Sequence, residues 1–360
     1  MAGSGFGTLF RVTTWGESHG YGIGAVVDGC PAGLPMDEEY IQQYLDRRKP
    51  GGRAFSTPRR EEDKVRILSG CFEGRTTGTP ISLMIENKDQ HSADYGELAN
   101  AWRPGHADFG FDSKYGFRDY RGGGRSSGRE TAARVAAGAI AARMLSEKGI
   151  HVQAWVSAIG PYICDASRFD PDEIMRNPFA MPDADAAREA EAYLTRLREE
   201  QDSTGSEVTC IVKGLPAGIG EPVFDKLDAR LAQAVFSIGA VKAVEIGDGK
   251  AVVSSRGSEN NDPFRVQDGR VVCTSNHAGG ILGGISTGAD ILLRASFKPT
   301  PSIFREQKTV TKDLKETDLS IRGRHDPVIG PRAAVVVEMM TALTVADLYL
   351  MAETGRLDQI

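Results

Sequence analysis

An excess of basic residues is missing from this chain. Forty-three Lys and Arg face 49 Asp and Glu, a formal charge of -6. The net field therefore does not gather polyanions, and basic runs interleaved with aromatics, the footprint of a nucleic-acid surface, are absent too. Cysteine is sparse: Cys30, Cys71, Cys164, Cys210 and Cys273 are odd in number and scattered, with no C-x-x-C pair. That argues against a disulfide framework and fits the reduced thiols of a cytoplasmic protein. No basic segment followed by an apolar run opens the chain, because Arg11, Thr13 and Thr14 arrive early, so export is not expected. The most apolar late stretch, 333–350, carries Glu338 and Asp347 and reads as a packed helix, with no membrane partner. No H-x-x-x-H or C-x-x-C pair is present, and no glycine run ends in Gly-Lys-Ser/Thr. Metal and nucleotide-triphosphate chemistry are accordingly not expected.

The 360 residues are 40% hydrophobic and 26% charged, with 42 Gly and 17 Pro, a globular composition rich in turns. β-branched runs predict strands around Val26-Val27, Val65-Leu68, Ile81-Ile85, Val152-Ile159, Val208-Val212, Val252-Ser255 and Ile291-Ala295. Apolar spacings of three and four predict helices over 39–47, 130–148, 184–200, 224–235 and 332–351. Strands and helices do not alternate strictly, so the expected class is α+β with antiparallel strands. No Pro- or Ser-rich linker divides the chain, and 1–360 is read as one large domain.

Glycine and arginine keep unusual company. The run from Arg118 through Arg121-Gly122-Gly123-Gly124-Arg125-Ser126-Ser127-Gly128-Arg129-Glu130 leads straight into a helical pattern at Thr131. Glycines let the backbone approach a ligand, Ser127 and Glu130 predict a capping box, and a helix start offers free N–H groups to an anion. The arginines add charge-assisted, potentially bidentate donors. Further basic clusters lie at 47–60, at Arg103-Pro104-Gly105-His106-Ala107-Asp108 and at Arg322-Gly323-Arg324-His325-Asp326-Pro327. In an acidic chain, separate Arg-Gly and Arg-His clusters point to one pocket for a small, multiply anionic ligand. His19, in Gly16-Glu17-Ser18-His19-Gly20, joins His106 and His325 as loop histidines able to move a proton near neutral pH. Ser18 and His19 are neighbours in sequence, and adjacent side chains rarely point at each other.

Taken together the motifs resemble the chorismate synthase family. Gly16 to Gly20, Arg103 to Asp108, Arg121 to Glu130, Ser275-Asn276-His277-Ala278-Gly279-Gly280-Ile281, Lys298-Pro299-Thr300-Pro301-Ser302 and Gly323 to Pro327 look like that family's signatures in its order. The resemblance implies a β-α-β sandwich with helices between largely antiparallel sheets, assembled as a homotetramer. It implies a lyase that converts 5-enolpyruvylshikimate 3-phosphate to chorismate and phosphate by 1,4-anti elimination, with reduced FMN required but not consumed. Carried over by motif, His19 with Ser18 beside it would protonate the departing phosphate, His106 would sit by the flavin ring and protonate its reduced form, and Asp326 would help relay the proton at flavin N5. Arg48, Arg103, Arg129 and Arg134 would clamp substrate anions, Arg48 also aligning with a position associated with NADPH. Arg125, Ser126, Ser127, Gly239, Ala240, Gly283, Lys298, Pro299, Thr300, Pro301, Ser302 and Arg324 would contact flavin. The run Pro50-Gly51-Gly52-Arg53 is one residue shorter before its arginine than the common family pattern, so that Ala54 falls where the family's arginine would align, and Arg53 is grouped with the substrate- and NADPH-binding residues. Two alternatives remain at this level: a flavin enzyme acting on another phosphorylated cyclic acid, and an idle anion-binding protein.

Overall fold

The computed structural model describes residues 3–51, 55, 61–88, 97–321 and 326–359. Two five-stranded antiparallel sheets enclose a layer of helices. The first has the order Gly5–Phe6, Arg11–Gly16, Gly22–Asp28, Ile81–Glu86, Val65–Ile67; the second runs Val241–Ile246, Ile291–Phe297, Ser206–Lys213, His151–Ile159, Tyr162–Ile163. Period-two patterning decides their inner faces: Ile81, Leu83 and Ile85 are buried in one sheet, and Ile291, Leu293, Ala295 and Phe297 in the other.

Between the sheets lie two central helices that are apolar nearly all round, as expected for elements without a solvent face. Thr131–Ser146 packs on the first sheet and Gly330–Ala352 on the second, and the two pack on each other. Gly138 permits the close approach, since a Cβ there would lie 2.4 Å from Met339 Cβ. Glu38–Arg48 and Leu227–Phe236 flank this pair. The buried side chains of both sheets and of the helix layer form one continuous core, so the α+β sandwich expected from sequence is the fold observed. Gly330–Ala352 is the one described helix long and apolar enough to cross a membrane, and most of its apolar stretch is buried inside the protein.

One buried carboxylate ties the two chain ends together. Asp347, fully buried, accepts the backbone N–H groups of Thr8, Leu9 and Phe10 at 2.7–2.9 Å and Arg230 Nη2 at 3.2 Å. The anchored segment feeds the Arg11–Gly16 strand, whose end delivers Ser18 and His19.

The pattern at Val252-Ser255 misleads. Those residues form a 3-10 turn, Gly249–Ser254, with Val253 exposed. A pair of β-branched residues favours a strand only where a sheet edge receives it, and the left-handed Gly247 and Gly249 turn the chain away after Val241–Ile246. Arg11–Gly16, the Asp108–Tyr115 helix and the exposed ribbon of Phe264–Gln267 with Arg270–Cys273 lie outside the predicted elements.

Candidate active site

The glycine run is a hinge of bare backbone between two histidines. Gly122, Gly123 and Gly124 all take left-handed conformations, at φ +64°, +88° and +52°, which residues with a Cβ adopt at a cost. A Cβ at Gly122 would lie 2.4 Å from His19 Cε1 and 3.1 Å from Ser18 Oγ; one at Gly123 would lie 3.0 Å from His106 Cε1 and from Ser126 Oγ. Both imidazoles therefore press on consecutive glycines. Contrary to expectation for neighbours, Ser18 Oγ and His19 Nδ1 do meet, at 3.0 Å. They sit on a tight turn closed by Gly20 N–H to the Glu17 carbonyl, and Asn87 Nδ2 clamps that turn by donating to the carbonyls of Glu17 and Gly20, both at 2.8 Å.

His106 lies in a shell of charge. Arg103 donates through Nε and Nη2 to the two oxygens of Asp108, at 2.7 and 2.8 Å, and Nη2 is 3.0 Å from His106 Nδ1. Burial opposes the Asp108 carboxylate, yet the Arg103 and His106 contacts hold its pKa well below the usual range. Lys298 Nζ donates to the Gly105 carbonyl, and burial, helped by Lys242, lowers the Lys298 pKa. Pro301 packs on Gly105, so the 298–302 loop backs the His106 loop. That loop is held in turn by Lys298 N–H to the Ala240 carbonyl, next to Gly239, and by Thr300 Oγ1 donating to the Asp326 carbonyl at 2.7 Å. Ser302 is buried.

Arginines complete the site, but they are less free than the sequence suggests. Arg48 and Arg129 share the buried carboxylate of Asp63, each bonding to one of its oxygens. Asp63 has a left-handed backbone, a conformation that a non-glycine residue keeps only when its surroundings enforce it. Burial, reinforced by Arg332 and Arg129 and offset by Asp63, draws the Arg48 guanidinium down to about 10. Arg129 Nε also donates to Asn87 Oδ1 at 2.8 Å. Arg332 bridges Arg48 to Asp326, donating to the Arg48 carbonyl at 3.0 Å and to Asp326 Oδ2 at 2.6 Å. Arg134 Nε pairs with Glu130 at 3.0 Å, and its Nη1 donates to Ser237 Oγ.

The capping box forms only by half. Ser127 Oγ accepts the Arg129 N–H at 3.3 Å, while the Glu130 carboxylate turns to Arg134. Arg125 folds onto the first sheet, donating to Thr14 Oγ1 and the Gly16 carbonyl at 2.8 and 3.1 Å. Gly283 sits in a separate hairpin, Ile281–Leu282 with Ile285–Ser286, which packs against Lys226 through Gly284. Arg53 and Arg324 lie outside the described residues, as does His325. Structure thus gathers Ser18, His19, His106, Ser126, Arg103 and the 298–302 loop, with Arg48, Arg129 and Asp326 in an adjoining ion network.

Sequence reasoning passed over Asp63, Asn87, Asp108 and Arg332 as participants. Asp108 carried a signal, a carboxylate two residues after a loop histidine. Asp63 stood last in the run Glu61-Glu62-Asp63, where nothing local separates the buried Glu61 and Asp63 from the solvated Glu62. Asn87 and Arg332 carried none.

Comparison with known proteins places these features. A family model described as chorismate synthase matches residues 10–350. Curated relatives named chorismate synthase include one from Lachnoclostridium phytofermentans, 58% identical over 361 residues and covering 100% of this chain and 98% of its own. Another, from Sphingopyxis alaskensis, is 57% identical over 350 residues, covering 96% and 97%. A solved structure titled "Crystal Structure of Chorismate Synthase" superposes with a TM-score of 0.76 at 32% identity, covering 96% of this chain and 93% of that one.

Proposed function

The chain belongs to the chorismate synthase family of enzymes, and on that premise we propose that it converts 5-enolpyruvylshikimate 3-phosphate to chorismate and phosphate by 1,4-anti elimination with reduced FMN. One observation carries the reading: the side-chain-free Gly122-Gly123-Gly124 turn has His19 on one glycine and His106 on the next, so that both imidazoles converge on a single turn. The substrate carries a phosphate and two carboxylates and the cofactor another phosphate, a match for arginine and lysine clusters in an otherwise acidic chain.

The residues present fit the cofactor. The Gly123 cradle beside His106 is one that a Cβ would fill, and Ser126, Ala240 and the 298–302 loop stand around it as flavin contacts. Held there, reduced FMN would supply transient electron density to the elimination with no net redox change. The C3–O bond breaks with its electron pair leaving on phosphate, and His19, steadied by Ser18, supplies the proton that phosphate takes. The C6–H bond breaks with its electron pair forming the second ring double bond, and its proton would leave through the relay served by Asp326. Arg129 and Arg134 hold the substrate anions, and Asp326, gripped by Arg332, keeps a carboxylate at the flavin side for proton relay. The protein's share is to hold the two rings together and exclude water.

On the same reading the enzyme acts in the cytoplasm as a homotetramer, with NADPH as an outside source of electrons for the flavin. The deciding experiment is anaerobic incubation with dithionite-reduced FMN and 5-enolpyruvylshikimate 3-phosphate. Chorismate absorbance and released phosphate should rise together, and full turnover with oxidised FMN in air would refute the proposal.

A further inference from the structure

The side-chain amide of Asn87 makes three hydrogen bonds, and each goes to a segment that carries the site. Its Nδ2 donates to the carbonyls of Glu17 and Gly20, both at 2.8 Å, and its Oδ1 accepts Arg129 Nε at 2.8 Å. These partners fix the orientation of the amide. Carbonyls take hydrogens only from the NH2 group and a guanidinium gives them only to the oxygen, so a flipped amide would leave all three contacts wrong. One planar group thus joins the turn that bears Ser18 and His19 to the arginine just ahead of the Thr131–Ser146 helix.

The joint stands on rigid backbone. Asn87 directly follows the Ile81–Glu86 strand, its N–H donates to the Tyr21 carbonyl at 3.1 Å, and Glu86 is paired with Gly22 in the ladder. From the other side, Arg129 is seated by the Glu86 carbonyl, which accepts Nη2 at 3.2 Å, and by Asp63, which takes Nη1. Of the five N–H groups of the guanidinium, three are engaged by Asn87, Asp63 and Glu86 among the described residues. One remains on each Nη, the pair that a ligand anion can use. Side chains anchored in this way on strand and helix hold a site geometry more tightly than loop residues do.

We propose that Asn87 is a positioning residue that holds the His19 turn at a fixed separation from Arg129, so that a proton donor and an anion clamp meet one ligand in register. What His19 and Arg129 do to that ligand rests on the function proposed above; the coupling between them does not. Misplacing a reacting group by about 1 Å costs on the order of 10²-fold in rate. Asn87 therefore acts on turnover through His19 and not by touching the reacting atoms.

Two variants separate the two sides of the joint. Asn87→Ala loses all three bonds, whereas Asn87→Asp keeps an oxygen for Arg129 and loses both donors to the turn. In hydrogen exchange of the full chain without flavin or substrate, Asn87→Ala should exchange faster than wild type over 17–20 and 128–130, and Asn87→Asp over 17–20 alone, with the 131–146 helix unchanged in both. Unchanged exchange over 17–20 in either variant, unchanged exchange over 128–130 in Asn87→Ala, or faster exchange throughout the chain would each overturn the proposal. In the anaerobic assay Asn87→Ala should lower kcat by roughly 10–10²-fold. When His19→Ala is already present the further loss should be no more than about three-fold, because a missing imidazole cannot be misplaced. Equal losses in the two backgrounds would mark a general structural effect and overturn the proposal as well. If Asn87→Ala does not fold, Asn87→Asp decides by its exchange over 17–20 and by its kcat in the same two backgrounds. Exchange needs no substrate, so a wild type that makes no chorismate would refute the proposed reaction and leave the coupling to be decided by exchange.

Discussion

Placing a single methyl group at Gly122 separates the cost of backbone strain from the cost of displacing His19. Gly122→Ala must keep φ near +64°, which for a residue with a Cβ costs about 1–2 kcal/mol. The new Cβ also lies 2.4 Å from His19 Cε1, where ordinary contact begins at 3.4 Å, so the ring must retreat by about 1 Å. That retreat strains or breaks the 3.0 Å bond between Ser18 Oγ and His19 Nδ1. Misplacement of a reacting group by about 1 Å costs on the order of 10²-fold in rate. Gly33→Ala is the control: Gly33 has φ +87° with nothing within 4 Å of its would-be Cβ, so it incurs the backbone strain alone. In urea unfolding both variants should lose about 1–2 kcal/mol, while in the anaerobic assay only Gly122→Ala should lose turnover, by roughly 10²-fold or more. If Gly122→Ala turns over within a few-fold of Gly33→Ala, the glycine does not serve His19 and this reasoning fails.

Three other outcomes are expected. His19→Ala and His106→Ala should each lower turnover by about 10²–10⁴-fold while flavin affinity, followed by fluorescence titration, changes much less; a near wild-type rate in either removes that residue from the chemistry. Arg125→Ala should mainly weaken FMN and Arg129→Ala mainly substrate, each by about 1.5–3 kcal/mol in calorimetric titrations at moderate salt, and equal loss of one ligand in both variants would mean that the loop grips one anion. Against the burial that favours its neutral form, Arg48 and Arg129 keep the Asp63 pKa below its ordinary value. Its contribution to stability is then present in full above roughly pH 4, the unfolded value, and is lost as pH falls toward the folded one. Acid unfolding of the wild type should therefore depend more steeply on pH in that range than that of Asp63→Asn, and superimposable profiles would dissociate Asp63 from acid stability.

Legibility differed between fold and site. Strand 81–86 and the helix 131–146 were readable because their apolar spacing is local and strong. Val252-Ser255 was misread because a β-branched pair says nothing about whether a sheet edge is there to receive it. Within the site, the Arg121 to Glu130 loop announced itself through its glycines, and the three left-handed conformations bear out why glycine is needed. Asp63 gave no sign, since it ends a run of three acids and its partners Arg48 and Arg129 come from other parts of the chain.

By itself the sequence determined the class of the fold, the residue types that gather anions, and the family, because hydrophobic period, glycine requirement and motif order are all written along the chain. Tertiary structure alone decided which side chains share a partner. It brought His19 and His106 onto consecutive glycines, gave two arginines a single carboxylate, and turned Arg103 from a clamp facing ligand into a buried fork on Asp108 and His106. The physical reason is that a buried charge is governed by whatever lies within a few ångströms in a medium of low polarity. Outside the 103–108 loop, those neighbours arrive from distant segments whose order no local pattern records.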